Sequence, residues 1–305
     1  MFGLQTATIH CTPDITLDEF ASALLVAEER RAISPLLTPD VERPSTFTPT
    51  GRKRIAPVLL LRDLENASHA VQALVLELMR TRKLTTSRST YDVPDRFLIL
   101  GILPKATIFP TGLLKHLREA FFISHHHEYD DELDFTNPAP SDTESSDSFA
   151  SVVIRKHPPS PPCTPGFPIF TLGRNFIPGS VVDTLRALAH DVVMDTEIRR
   201  YLLDIIVFLR MHRAVKGGVI ATGTGDLEWL VKCLAPMHGL DYVTPALVAL
   251  AVFKVYNHRI ELVQRTEDER SILWGSDPKE VEAYLRQVEV ETVIEDVLAS
   301  VRAPL

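Results

Sequence analysis

Two short runs of uninterrupted apolar residues, Pro57-Val58-Leu59-Leu60-Leu61 and Phe97-Leu98-Ile99-Leu100, constrain the fold of this chain more than any other feature. Runs of this length and character fit strands buried on both faces of a parallel sheet, and parallel strands need helical crossovers. The crossover is legible between them. Asn66 and Ser68 offer helix-start chemistry, and Ala67, Ala70, Val71, Leu74, Val75 and Leu78 recur at helical spacing. Residues 83–94 then suggest a small hairpin. Upstream, residues 5–11 alternate as a strand does, and Thr16-Leu17-Asp18-Glu19 opens an amphipathic helix carrying Phe20, Leu24 and Leu25. Between 34 and 56, Pro35, Pro39, Pro44, Pro49 and Gly51 break every period, which predicts an exposed connection. The fold class expected is α/β, with helices on both faces of a parallel sheet.

From about 125 to 177 the composition turns to acidic residues, serine and proline, as in "DDELDFTNPAPSDTESSDSFAS" and "HPPSPPCTPGFP". A segment of that composition buries too little apolar area to offset its ordering entropy and is expected to be disordered. Beyond it the stripes are helical nearly to the end: Val181 to His190, Ile198 to Met211, Leu227 to Cys233, a helix started by Thr244-Pro245, another started by Asp277-Pro278-Lys279-Glu280 and running through Leu285, and a last one from Val293 to Val301. Four regions follow: an α/β core over 1–124, an acidic loop over 125–177, a helical unit over 178–265 and C-terminal helices over 266–305.

A net charge of −8 leaves no basic footprint, so nucleic acid is not the expected partner. No apolar run reaches the eighteen or so residues of a membrane span, and the N-terminus lacks a secretory pattern, which predicts an intracellular protein, cytoplasmic or nuclear. Cys11, Cys163 and Cys233 are odd in number and far apart, which indicates neither a disulfide framework nor a zinc site.

Several strings in their order resemble the MoxR and magnesium chelatase I-subunit branch of the AAA+ ATPases. "CTPDITLDEF" is similar to the family's second-strand region. "VLLLRDLENASHAVQALVLELMRTRKLTTSRSTYDVPDRFLILGILP" resembles its Walker B strand, the following helix, an inserted hairpin and the sensor 1 strand. "FPTGLLKHLREAFFI" resembles the segment that places an arginine before the last strand, while "YLLDIIVFLRMHR" and "GLDYVTPALVALAVFKVYNHRIEL" resemble the helical lid. The resemblance covers most of 1–125 and 178–302. It implies a truncated AAA+ sheet followed by an all-α lid, with Met1 standing after the Walker A helix. The strand that would lie between the sensor 1 strand and the last strand is then absent from the sheet. Its absence implies either a gap of roughly 10 Å, closure of the last strand onto the sensor 1 strand, or residues upstream of Met1.

ATP handling in that family needs a glycine-rich phosphate loop, a magnesium carboxylate, a water-polarising glutamate and polar sensors. No GxxxxGK[ST] string occurs in this chain. Aligned on Walker B, Arg62 falls at the magnesium carboxylate and Asp63 at the water-polarising position. A cation there would repel Mg²⁺ by roughly 8 kcal/mol at about 4 Å and an effective dielectric near 20, unless the side chain swung aside. Leu103 falls at sensor 1 and offers a phosphate nothing. The sensor 2 arginine would fall within Ala221-Thr222-Gly223-Thr224, where none exists. Arg118 alone falls where the family's trans-acting finger lies, a position that an ordinary salt-bridged arginine also suits. The expectation is a catalytically degenerate AAA+ module acting as a protein-interaction or assembly subunit, with AAA+ homologues or copies of itself as ring partners. It carries no cofactor, ATP and Mg²⁺ entering only with an upstream phosphate loop. The alternative is an ATP-dependent subunit of magnesium chelatase type.

His125-His126-His127 with Glu128, Asp130, Asp131 and Glu132 could be drawn as a metal site. Consecutive strand residues point to opposite faces, so a polar entry to the acidic loop is the better reading. Ser141 and Ser145 sit among acidic residues and suit phosphorylation by composition alone. Trp229 and Trp274 read as packing anchors, with an exposed Trp274 pointing instead to a partner surface.

Overall fold

The structure is a computed structural model that describes residues 5–27, 53–86, 89–104, 112–126 and 177–304. It opens with strand β1 (Thr6–His10) and helix α1 (Leu17–Ala23), the latter started by a capping box in which Thr16 and Glu19 satisfy each other's main-chain N–H. Strand β2 (Leu25–Ala27) pairs antiparallel with β3 (Lys53–Ile55). Strand β4 (Val58–Arg62) runs into a 3₁₀ turn, Leu64–Asn66, and then helix α2 (His69–Thr81), capped by Ser68. A hairpin of β5 (Lys83–Thr85) and β6 (Thr90–Asp92) leads to β7 (Leu98–Ile102) and the short helix α3 (Lys115–Ala120). Strands β1, β4 and β7 form a parallel sheet in that order, with Thr6 beside Val58 and Val58 beside Leu98.

The core of this α/β unit joins Ala7, Ile9, Leu59 and Leu61 of the sheet to Phe20 of α1 and Leu24 just after it, Val71, Val75 and Leu78 of α2, and Leu117 of α3. The expectation that β4 is buried on both faces therefore holds for one face only. Leu59 and Leu61 are covered, whereas Val58 and Leu60 are half-buried, because α1, α2 and α3 all contribute to one core.

Helices α4 (Gly179–Asp191), α5 (Thr196–Met211), α6 (Ala221–Met237), α7 (Pro245–Tyr256), α8 (Pro278–Gln287) and α9 (Val290–Ser300) make the second unit. Its core is built from α5, α6, α7 and α9, where Ile205, Leu209, Leu227, Val231, Val248, Val252, Val255, Val293 and Ile294 are buried. Thr244 and Asp277 cap α7 and α8, as their sequence positions imply, and Asp195 caps α5. A reading of unbroken helix here needs correcting, since β8 (Val215–Gly217) and β9 (Glu261–Leu262) pair antiparallel and pin the end of α5 to the end of α7. Likewise Lys53–Ile55, expected within a connection, is a strand. Phe121–Ile123, expected to lead into a last strand, pairs with no strand among the described residues, and its Phe121 carbonyl turns to the helical unit instead. Closure of that segment onto β7 is not seen among the described residues. Most of the acidic loop expected over 125–177, including His127, Glu128, Asp130, Asp131, Glu132, Ser141, Ser145 and Cys163, lies outside the described residues. No described helix is long and apolar enough to cross a membrane.

Candidate functional site

The C-terminal ends of β1 and β4 bring His10, Cys11, Arg62 and Asp63 together, as ligand sites in open α/β sheets require. His10 and Arg62 are register partners on adjacent strands. The Arg62 guanidinium stands 3.4 Å from His10 Nε2, and His10 Nδ1 stands 3.6 Å from Asp63 Oδ2. Asp63 adopts a left-handed backbone, φ 55° and ψ 41°, which a residue with a Cβ adopts at some cost. Its main-chain N–H donates to the Ile102 carbonyl at 3.0 Å, so Leu103, 37% exposed, begins the loop that borders this corner. Three of the four positions singled out in the sequence, Arg62, Asp63 and Leu103, thus meet at one end of the sheet.

Cys11 is buried beside this corner. Burial, with the negative fields of Asp63 and Glu65 added, pushes its thiol up to about 11. Iodoacetamide labelling at pH 8, read peptide by peptide, is expected to be roughly a hundredfold slower at Cys11 in the folded chain than after denaturation, since the thiolate is the reacting form. Equal rates would show that the β1 terminus is open to solvent.

The fourth position, Arg118, lies at a different place. It is buried on α3 and ion-paired with Glu261 of β9, whose other carboxylate oxygen accepts from Lys115 Nζ at 3.3 Å. This is one clasp between the α/β unit and the helical unit. The second is built on the Phe121 carbonyl, which receives Arg259 Nη2 at 2.8 Å and lies 2.9 Å from His258 Nε2. Arg259 is fully buried, and its Nη2 also meets Asp226 Oδ2 at 2.6 Å. Its guanidinium rests on the first turn of α6. A Cβ on Gly223 would stand 2.9 Å from Nη1, so a larger residue there would have to displace the guanidinium. The main chain of Arg259 is held as tightly. Gly218, at φ +93°, brings its Cα so close to the Arg259 carbonyl that a Cβ would fall within 1.8 Å of that oxygen.

The start of α6 therefore does meet an arginine, although none occurs in its own sequence. Arg259 arrives there from the far end of α7 with its charge already matched by Asp226. Sequence reasoning missed both residues, as well as His258, whose Nδ1 lies 3.0 Å from Ser124 Oγ. Burial pushes the His258 imidazole down to about 4, helped by the neighbouring Arg259 and Arg118 guanidinium groups and opposed by the Phe121 carbonyl. A further join is internal to the α/β unit. Gln72, fully buried on α2, donates to the Ala67 and Gly112 carbonyls at 3.1 and 2.8 Å and accepts from Leu114 N–H at 2.7 Å, fixing the loop that enters α3.

Trp229 does pack, its ring 4.7 Å from that of His190. Trp274 does not: it is 88% exposed, beside Leu273 at 86%.

No family model matches the chain. A stretch of 113 residues, 36% of this chain, is 34% identical to Maintenance of telomere capping protein 2 of Saccharomyces cerevisiae and covers 32% of that protein. The protein of that name from Kluyveromyces lactis is 30% identical over 105 residues, 33% of this chain and 38% of the relative. That from Lachancea thermotolerans is 36% identical over 98 residues, 31% of this chain and 34% of the relative. The chain thus spans about a third of the length of the curated relatives it matches. In fold, it superposes with a TM-score of 0.62 on the crystal structure of an inferred ATPase from Cytophaga hutchinsonii, at 16% identity, over 100% of this chain and 79% of that one. The chain shares the fold of that protein, a parallel α/β core joined to a helical unit.

Proposed function

We propose that this chain is a non-hydrolysing AAA+-type module that serves as an interaction or assembly subunit among proteins. The observation that carries the reading is the corner at the end of β4. Where the fold's metal carboxylate is expected stands Arg62, facing His10, and the adjacent Asp63 turns its carboxylate to the same imidazole. Cation, imidazole and carboxylate are arranged around one another. They do not fit a magnesium–triphosphate pair, which needs a free carboxylate and converging donors. Arg118 and Arg259, the two arginines best placed to sense or complete a nucleotide site, are both committed to carboxylates of this chain.

Surfaces suited to protein partners accompany this loss. Helix α5 exposes Leu203, Val207, Phe208 and Met211, and Leu273 and Trp274 project from a 3₁₀ turn. Exposed aromatic and aliphatic groups of this kind anchor interfaces. The partial likeness to Maintenance of telomere capping protein 2 supports a nuclear setting, and AAA+ homologues or further copies of the chain are the proposed partners. The charge of −8 speaks against direct contact with DNA.

Titration calorimetry of the purified chain with Mg-ATP tests the reading. Binding weaker than about 1 mM, worth less than about 4 kcal/mol, is expected. Micromolar binding with release of phosphate would overturn it in favour of an ATP-dependent subunit of magnesium chelatase type, coupling hydrolysis to metal insertion or remodelling.

A further inference from the structure

Helix α5 buries one face and leaves the other without a cover. Ile198, Tyr201, Leu202, Ile205, Ile206 and Leu209 point into the helical unit. At 3.6 residues per turn the opposite side gathers Arg200, Leu203, Asp204, Val207 and Met211 into one stripe, with Phe208 on its flank. Leu203, Val207 and Phe208 are each 45–47% exposed, and Met211 is 69% exposed. A helix on the surface of a soluble unit normally turns charged and polar residues outward, so an apolar stripe there signals a partner.

The stripe continues past the end of the helix. The 3₁₀ turn that carries Leu273 and Trp274 is tied to that end: Arg213 Nε donates to Glu269 Oε1 at 3.2 Å, Glu269 accepts from Ser271 N–H at 2.9 Å, and Arg270 reaches the Arg210 carbonyl at 3.5 Å. These ties hold the turn in place before any partner arrives, which lowers the entropy lost on docking. Just ahead of the start of α5, Val193 is 66% exposed and bridges to Tyr242, also exposed. The large apolar groups of α5 and the turn together expose on the order of 800 Å², about what each partner buries in a stable interface of standard size.

Two charges within the stripe say which partner fits. Arg200 and Asp204 stand one turn apart and exposed, and neither side chain forms an ion pair or hydrogen bond among the described residues. Set antiparallel against a copy of itself about position 202, α5 places Arg200 opposite the partner's Asp204 and Asp204 opposite the partner's Arg200. Leu203 then meets the partner's Leu203 near the dyad, and the Met211 end, with Leu273 and Trp274, reaches the partner's Val193 and the partner's Tyr242. A parallel copy would instead set like charge on like charge. Spacings of three and four along the stripe suit helices crossing at about 20°, and a two-fold axis makes every contact twice.

We propose that the outward face of α5, extended by the turn at Leu273 and Trp274, is the two-fold interface of a homodimer of this chain. The pairing deepens the reading of the chain as an assembly subunit and rests on it, but it closes at two copies, whereas a ring is built from head-to-tail contacts. Nucleotide binding is measured separately, so a chain that stays monomeric and a chain that binds Mg-ATP are distinguishable failures.

Sedimentation equilibrium of the full chain between roughly 1 and 100 µM is the test, and a dimer is expected to form within that range. Arg200→Asp, which sets carboxylate against carboxylate at both contacts, is expected to weaken dimerisation at least about tenfold, and Asp204→Arg by a similar factor. An equimolar mixture of those two variants is expected to recover a dimer within about threefold of the unaltered strength, because each acid then faces a guanidinium across the axis. Unchanged far-ultraviolet circular dichroism of each variant checks that both still fold. A chain that stays monomeric throughout the range, a dimer indifferent to both single substitutions, a mixture that fails to recover it, or growth past two copies would each overturn the proposal.

Discussion

Asp226→Ala is expected to cost the folded chain about 3–5 kcal/mol in urea denaturation, the range for stripping one partner from a buried ion pair. The magnitude follows from an asymmetry in exposure. Arg259 is fully buried, while the Asp226 side chain is 35% exposed. Removing the aspartate strands a guanidinium in the interior with the Phe121 carbonyl as its remaining close acceptor. Removing the arginine strands a carboxylate that water can reach. Arg259→Met is therefore expected to cost less, about 1–2 kcal/mol, mostly from lost packing on Gly223 and one lost hydrogen bond. The double variant is expected to be more stable than Asp226→Ala alone, because no charge is left without a partner. If the two single variants cost the same, Arg259 is hydrated in solution and the second clasp is looser than its geometry implies.

How much of this was legible beforehand depends on the range of the forces involved. The apolar runs at 58–61 and 97–100 announced β4 and β7 because strand propensity is written into contiguous residues, although the burial they suggested is met on one face of β4 and hardly at all on β7. Thr16, Ser68, Thr244 and Asp277 announced helix starts because a cap acts within three residues. The pairs β2–β3 and β8–β9 were missed. With two or three residues per strand they show no alternation, and tertiary approach alone brings them together. Phe121–Ile123 has the composition of a strand, yet the Phe121 carbonyl is captured by His258 and Arg259, more than a hundred residues away.

The candidate site divides along the same line. Arg62, Asp63 and Leu103 could be placed from the family resemblance of their two strands, and they meet because strand ends in a parallel sheet converge. Arg259 could not, because Asp226 and Gly223 meet it through helix packing. The available signal was a cluster of charge in an apolar stretch, Lys254, His258, Arg259 and Glu261 within "VFKVYNHRIELV". Residues with Arg259's length and charge are seldom fully buried without a partner, so that cluster marks a join between units rather than a solvated face.

Acidification is expected to weaken the same join, with His258 as the titrating group. Its imidazole is pushed from an ordinary value near 6.5 down to about 4 in the folded chain, first by burial and then by the adjacent guanidinium groups. The unfolded chain therefore binds a proton that the folded chain refuses. Stability from this group is fully present above about pH 6.5 and is lost as pH falls toward 4, at a cost of about 2 kcal/mol by pH 5 and about 3 kcal/mol below pH 4. The neutral ring carries one proton, with the Phe121 carbonyl and Arg259 Nε beside Nε2 and the Ser124 hydroxyl beside Nδ1, so protonation turns its one accepting nitrogen into a second donor. Carboxylates elsewhere add their own acid dependence, which makes the difference between two proteins the quantity to measure. His258→Gln, which keeps one donor and one acceptor but does not titrate, is expected to lose about 2 kcal/mol less than the unaltered chain between pH 7.5 and pH 5, from urea midpoints at each pH. Equal losses in the two proteins would mean that His258 is solvated and that the helical unit is held against the α/β core by other contacts.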